Sequence, residues 1–330
     1  MNRRVLNLGL FALCVIGLVL SAVSGTADLT LGETLAAAAD PQSRIFAIIW
    51  ELRIPRAVAA LFTGAALGAS GAALQGLLRN PLAGPGVLGI SAVASLGAVI
   101  TIYFGWVTAI GAWALPLGAM LGAFGAIAIL VLAMGPKTNP VTVILVGLGL
   151  SSLAGAMLSL VINLANSPFQ LSDMINWLLG SVAFRSWNDL ILVSLPALAG
   201  AFALSQSGAG LRALSLGEDV AKTLGASPQR TQLWVILGSG ALVGSSVALA
   251  GTIGFVGIVA PHILRPLVRS DPASLILPSA LLGGALLVFT DLLIRTVPLL
   301  QGINLGVAVA LIGAPIFIWI AARVSKGWAV

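Results

Sequence analysis

The side chains able to do proton, metal or nucleophilic chemistry are few and scattered. The chain has one histidine (His262), one cysteine (Cys14), one tyrosine (Tyr103) and ten Asp and Glu among 330 residues. Cys14 lies inside an apolar run, where a lone thiol reads as a small inert hydrophobe. With one cysteine, neither a disulfide within the chain nor a Cys-based metal site can form. His262 stands beside Pro261 in "APHILR". A haem or metal held there would need a second donor in reach, so His262 reads as structural. No G-x-x-x-x-G-K-[ST] phosphate loop occurs, so ATP binding of that kind is not expected. Asp291 and Arg295 are spaced i,i+4 and could pair, while Glu51 and Asp189 fall near the ends of apolar runs. An ion-driven pump buries carboxylates in mid-membrane, and that set is nearly empty. A membrane enzyme would need His, Asp or Glu clustered at one membrane face, and these are dispersed. The reading is therefore no catalytic residues, no metal ligands and no cofactor held by this chain.

One stretch is unusually polar. "LSLGEDVAKTLGASPQRTQ" (214–232) gathers Glu218, Asp219, Lys222 and Arg230, with Arg212 just before it. Ser215 and Glu218 have capping-box spacing. Glu218 and Lys222 are i,i+4 in the favourable order. Gly225 offers a left-handed stop, and Ser227-Pro228 restarts a helix. The pattern predicts a helix over Leu216–Leu224, with Leu216, Val220 and Leu224 as an apolar edge. So short a helix is marginal alone in water. Either its own spans hold it or another protein does.

The elements that must position this stretch are membrane helices. Hydrophobic residues make up 59% of the chain, and the mean hydropathy is +1.10. A soluble fold cannot cover that much apolar surface. The expected class is all-α, a polytopic membrane protein with about ten transmembrane helices. They lie near 5–24, 52–78, 88–105, 112–134, 140–165, 189–206, 229–250, 255–269, 275–294 and 304–323. The eighth is short and interrupted by Pro261. The opening "MNRRVLNLGLFALCVIGLVLSAVSGTA" resembles a secretory signal, but Val5–Val23 is longer than the usual apolar core of about 7–15 residues and reads as a retained first span. With both termini cytoplasmic, 11 of the 16 Lys and Arg fall on the cytoplasmic side, which fits the positive-inside bias. The same bias accounts for the net charge of +6 without nucleic acid.

The halves echo each other. "GAALGASGAALQ" (64–75) aligns on "GALVGSSVALAG" (240–251), and "GVLGI" (86–90) on "GFVGI" (254–258). The two copies run in opposite directions, as in the inverted repeats of transporters. One transmembrane domain is expected over 1–330. It comprises a first helix near 5–24, a first repeat over about 52–165, a linking segment 214–228 and a second repeat over about 229–323.

Four ordered motifs resemble one family. "LRIPRAVAALFTGAALGASGAALQGLLRNPLAGPGVLGIS" (52–91), "LGEDVAKTLG" (216–225), "GFVGIVAPHILR" (254–265) and "ALIGAPIFIW" (310–319) are similar to the signatures of FecCD-type permeases. These are the membrane subunits of ABC importers for iron-siderophore, haem and vitamin B12. The resemblance runs from about residue 40 to 323. It implies a homodimer or close pseudo-dimer in the bacterial inner membrane, with the pathway on the two-fold axis and surrounded by lipid. Two ATPase subunits, which bind the ATP and Mg, would dock on one face. A periplasmic or lipid-anchored substrate-binding protein would dock on the other. The cargo would be a metal chelate.

The resemblance also assigns residues. Leu216, Gly217, Glu218, Asp219, Lys222, Leu224 and Gly225 match the segment that docks into the ATPase. Arg53, Arg56 and Arg295 match basic positions that meet acidic groups of the binding protein, and outer-face arginines run against the positive-inside bias. Snorkelling, or an internal pair such as Arg295–Asp291, is the plainer alternative. Arg79, Asn80 and Pro81 close the RNPLAGPG loop, as a structural turn or as a contact with the ATPase or inner gate. Met157, Ser159, Asn163 and Asn166 are expected on the pathway wall, with Phe169, Met174 and Trp177 in a short outer helix. One departure stands out: where the family reads Glu-Leu-Pro-Val-Gly before the last span, this chain reads "GINLG" (302–306), with Gly302 for Glu and Asn304 for Pro.

Overall fold

The computed structural model describes residues 3–25, 32, 40, 42–135, 140–268 and 271–327. Among them every regular element is a helix. The first, α1 (Arg3–Val23), is apolar over 21 residues, enough to cross a hydrocarbon core of about 30 Å. Ser43 caps a short turn, α2 (Arg44–Ala47), by accepting from the Phe46 amide at 3.1 Å. The chain continues through a π-helical turn, Ile48–Arg53, into α3 (Ile54–Leu78). The second span thus begins at Arg44 rather than near 52. Then follow α4 (Ile90–Tyr103), α5 (Trp106–Ile110), α6 (Ala114–Leu132), α7 (Pro140–Asn163), α8 (Pro168–Leu178) and α9 (Trp187–Ser215). The remainder comprises α10 (Glu218–Thr223), α11 (Pro228–Ala250), α12 (Val256–Leu264), α13 (Pro272–Thr296) and α14 (Leu305–Gly327).

Among the described residues, seven helical units are long and apolar enough to cross a membrane: α1, α2–α3, α6, α7, α9, α11 and α13. The shorter apolar helices α4 and α12, the latter with its 3₁₀ extension to Val268, occupy the expected third and eighth positions, and the 23-residue α14 occupies the tenth. Pro261 lies inside α12, as its sequence implied. Such short helices need irregular backbone beside them, which hydrocarbon tolerates only when protein covers it.

The sixth span departs most from expectation. It runs to Ser215 instead of stopping near 206, because its hydroxyls do not compete for the chain. Ser205 Oγ donates to Phe202 O at 2.6 Å and Ser207 Oγ to Leu204 O at 2.7 Å, both within the helix. The start is set by Ser186 and Asp189, which form a full capping box. The polar stretch therefore begins directly at the end of a 29-residue helix.

The centre is built on α3 and α11. In each, 78% of the apolar window is buried, against 17% in α7. Glycine makes this possible. A Cβ on Gly64 would lie 2.1 Å from the Gly283 carbonyl oxygen, and one on Gly71 would lie 1.7 Å from that of Gly257. Here α3 meets α13 and α12 backbone to backbone. The partners are reciprocal: Gly64 and Gly68 of α3 face α13, while Gly240 and Gly244 of α11 face Ile127 and Ala123 of α6. A two-fold exchanging α3 with α11 and α6 with α13 would produce this pattern.

Contacts also sort the element ends. Arg3 of α1, Arg212 of α9 and Asp271 before α13 meet at one end, where Gly76 of α3 sits against Pro272 and Leu211. The polar stretch 214–232 belongs to this end. The last residues of α1, the Arg53–Arg56 turn and Asp291–Arg295 meet at the other. Of the basic residues used to orient the chain, Lys137 and Arg269 lie outside the described residues.

Candidate coupling, docking and pathway sites

The polar stretch folds as a six-residue helix, α10, between two glycines with positive φ, Gly217 at 113° and Gly225 at 79°. The expected capping box is absent. Ser215 ends α9 and donates to Arg212 O at 2.7 Å, and Gly217, which has no side chain to offer, takes the N-cap. The stop is as expected and more complete. Ala226 N donates to Ala221 O at 2.9 Å and Gly225 N to Lys222 O at 3.0 Å. These two bonds form a Schellman motif. Lys222 pairs with Glu218 at 3.3 Å across one turn, both side chains being half exposed. Ser227 then caps α11 with Pro228 in its first turn.

What holds so short a helix is its inner face. Ala221 is fully buried and belongs to the main core. The opposite edge is open, with Leu216 63%, Val220 45% and Leu224 64% exposed. Val220 of the helix and Leu216 and Leu224 at its two ends thus form an exposed apolar edge on a charged, well-terminated segment. A polar cleft of about 600 Å³ runs behind it, between α9 and α11, bordered by Arg212, Arg230 and Trp234.

At the same end, Arg79 closes α3 in the left-handed conformation, φ 49°. The Asn80 side chain accepts from Leu82 N at 2.9 Å, an Asx turn. Arg79 and Asn80 are exposed and Pro81 is half-buried. Gln75 of the same motif accepts from Arg265 at 2.6 Å and donates to Ile258 O at 3.4 Å, tying α3 to α12.

The three arginines expected on the outer surface are gathered at the opposite end, and mostly inside. Arg56 grips Asp291 with Nε at 3.1 Å from both carboxylate oxygens and a terminal nitrogen at 2.7 Å from Oδ1. Arg295 Nε lies 3.1 Å from Asp291 Oδ2. Its terminal nitrogens donate to Ser21 Oγ, Ser21 O and Ser24 O. Arg53 donates to Ala22 O at 3.1 Å and Val23 O at 2.5 Å. Two guanidiniums thus cap the orphan carbonyls of α1. Arg53 and Arg295 are buried, and only Arg56 keeps a partly exposed side chain. For Arg53 and Arg295 the plainer internal reading fits the geometry, because guanidiniums spent on α1 and Asp291 are not presented outward.

The proposed wall residues lie on α7 and just after it, along the least enclosed long helix. Met157, Ser159, Asn163 and Asn166 are exposed in the single chain. Their polar atoms turn to nearby groups: Ser159 Oγ donates to Gly155 O at 2.9 Å and Asn163 to Ser159 O at 2.8 Å. The short outer helix exists as α8, but Met174 and Trp177 are buried in it, and only Phe169 is open. Among the described residues no three His, Cys, Asp or Glu side chains gather into a metal-binding group.

With this geometry in hand, comparison with known proteins is informative. The model of the FecCD transport family matches residues 13–323. The chain belongs to the FecCD transport family. It is 41% identical over 284 residues to the ABC transporter permease protein YvrB of Bacillus subtilis, covering 85% of this chain and 80% of that one. It is 40% identical over 277 residues to the vitamin B12 import system permease protein BtuC of Vibrio cholerae, covering 84% and 83%. A solved structure of an inward-facing metal-chelate type ABC transporter superposes with a TM-score of 0.83 at 32% identity, covering 98% of this chain and 100% of that one. This FecCD-family chain is a multi-pass inner-membrane permease.

Within that family frame, the departure at 302–306 has a visible consequence. Gly302, at φ 89°, and Asn304 border a pocket of about 210 Å³ with Arg56, Asp291 and Arg295. Asp291 is the acidic partner of Arg56 and Arg295 at this pocket. The sequence reading missed Asp271, which the structure places between Arg3, at 3.2 Å, and Arg212, at 3.3 Å. The signal was present: Asp-Pro before an apolar run is a helix start, and Asp271 accepts from Ala273 N at 3.1 Å.

Proposed function

We propose that the chain is the membrane-spanning subunit of an ATP-driven importer for a bulky metal chelate. It would work as a pair of copies with two ATPase subunits, which bind the ATP and Mg, at the 216–225 end. A substrate-binding protein would dock at the opposite end. The observation that carries this reading is α10: a helix anchored by one buried alanine, presenting Leu216, Val220 and Leu224 outward, at the tip of α9. A rigid helix fused to a docking surface can pass on the movement of whatever seats there. A load-free pore or an ion-driven carrier has no use for it. Among the described residues Asp291 is the one buried carboxylate, and it is paired with two guanidiniums. At the other end, Arg56 is the member suited to meet a partner's acidic group, with Arg53 and Arg295 holding the framework around it. The cargo class rests on similarity to a vitamin B12 permease and a metal-chelate transporter.

The test is reconstitution with the cognate ATPase subunits. Replacing Leu216 and Leu224 with Ser, or Glu218 and Lys222 with Ala, should lower cobalamin or ferric-chelate uptake per ATP hydrolysed by at least several-fold. Unchanged coupling in both variants refutes the role of α10.

A further inference from the structure

A second surface is built for a different partner. Between α3, α9 and α13 runs an apolar groove of about 870 Å³. It follows α9 from Leu190 to Arg212, about 33 Å at the helical rise, or the full depth of a hydrocarbon core. Its walls are aliphatic and aromatic, with Val58 and Phe62 on one side and Ile276 and Leu277 on the other. The two hydroxyls that line it are turned away chemically: Ser194 Oγ donates to Ile191 O at 2.7 Å and Ser205 Oγ to Phe202 O at 2.6 Å. The groove therefore offers one polar group, the guanidinium of Arg212, and offers it at one end.

Arg212 is also where the groove meets the polar cleft behind α10, because it borders both. Its Nε donates to Asp271. Among the described residues, its two terminal nitrogens have no other acceptor. The side chain is 56% exposed, and Arg3, which shares Asp271, is 52% exposed. Two guanidiniums against one carboxylate leave a net positive charge, and Arg230 adds another across the cleft. An apolar trench of membrane depth that ends in uncompensated positive charge has the amphiphilicity of one kind of molecule. We propose that it seats a phospholipid with an anionic headgroup, acyl chains in the groove and phosphate at Arg212. Basic pockets between membrane helices at the headgroup level select anionic lipids in this way. The seat lies six residues before the start of α10, so a bound lipid would stiffen α9 against α13 beside the coupling surface. The inference needs the membrane placement of the chain but not its cargo.

The assembled transporter, with its ATPase subunits, is purified from nanodiscs containing phosphatidylcholine and phosphatidylglycerol in equal amounts, and its retained lipid is read by native mass spectrometry. Wild type should keep phosphatidylglycerol over phosphatidylcholine by about fivefold, which is roughly one arginine's attraction. Arg212→Gln should keep lipid but lose the preference. Ala201→Trp fills the groove and should lose the lipid. Gly208→Leu serves as a second filler, since a Cβ at Gly208 makes only an ordinary 3.6 Å contact with Ala273. Equal retention of both lipids by wild type, or unchanged lipid in both filled variants, overturns the proposal. So does efficient disulfide cross-linking of two copies through Leu198→Cys, which would show that a second chain covers the groove.

Discussion

Asp271 and Asp291 stand at the two ends of α13, and each collects two arginines. Along the helix they are about 30 Å apart, one near each membrane face. Both sites also bind α1 to α13. Asp271 holds Arg3 of α1 at 3.2 Å, and Arg295, beside Asp291, holds the last carbonyls of α1. The difference is solvent. At Asp291 the side-chain exposures are 2% for the acid and 7% and 24% for the arginines. At Asp271 they are 18%, 52% and 56%. The same three charges therefore make a fixed clamp at one end and a loose, screened contact at the other. The clamp ties α1, α3 and α13 into one framework at its end. A contact that costs little to open suits the end where α9 leads into α10.

The comparison breaks most clearly at the clamp. Asp291→Ala leaves the buried Arg295 and the part-buried Arg56 without their carboxylate. Removing one member of a buried ion group costs about 3–5 kcal/mol, read as a lower denaturant midpoint in mixed micelles. A loss below about 1 kcal/mol would mean that water reaches the site and that the two ends are alike.

Arg56→Lys asks for less. It keeps the charge but loses the fork that reaches both oxygens of Asp291. A loss of about 1–3 kcal/mol is expected, the worth of a hydrogen bond to a charged group. The same variant should bind the substrate-binding protein more weakly if Arg56 also serves docking. A change in affinity without a change in midpoint would separate the two roles.

Much of this was legible in the residues. The spans followed from apolar runs, and the Schellman stop of α10 from Gly225, because both are local. The Asp291–Arg295 pair followed from i,i+4 spacing. What could not be read was distance in sequence. Arg56 reaches Asp291 from 235 residues away, and nothing near either residue announces the other. Arg53, Arg56 and Arg295 read as docking groups through the family motif and the positive-inside bias, and the structure adds that Arg53 and Arg295 are buried against the end of α1. The long run of α9 was hidden for a different reason. Ser205 and Ser207 look like a polar break, and only their bonds to the preceding turn show that the helix absorbs them. The groove behind α9 has no sequence signal, since its lining comes from four helices and each contribution looks like ordinary span.

The loose site yields the next effect. Asp271→Asn keeps a good N-cap for α13 but removes the charge. It should cost no more than about 1 kcal/mol, as exposed pairs do. Asp271→Ala should cost roughly 1 kcal/mol further through loss of the cap. If Asn were as damaging as the loss of Asp291, the contrast between the ends would fail.

The smallest effect is the most specific, because it depends on pH. Burial pushes the Asp271 carboxyl up, but hydrogen bonds from Ser274 and Arg212 and the charge of Arg212 outweigh it and hold the group below the usual carboxylate range. A carboxylate whose folded pKa is depressed adds stability above its unfolded value of about 3.9. That stability is lost as pH falls through the lower folded value. The gap between wild type and Asp271→Asn should therefore stay level from neutral pH down to about 5 and close below about 4. It should also narrow in high salt, because the arginines are open to counterions. The clamp at Asp291, whose carboxylate is buried, should respond less to salt. A gap at Asp271 that ignores both pH and salt would mean that the acid acts through its cap alone, and Arg212 would then be free to hold a headgroup phosphate without a competing carboxylate.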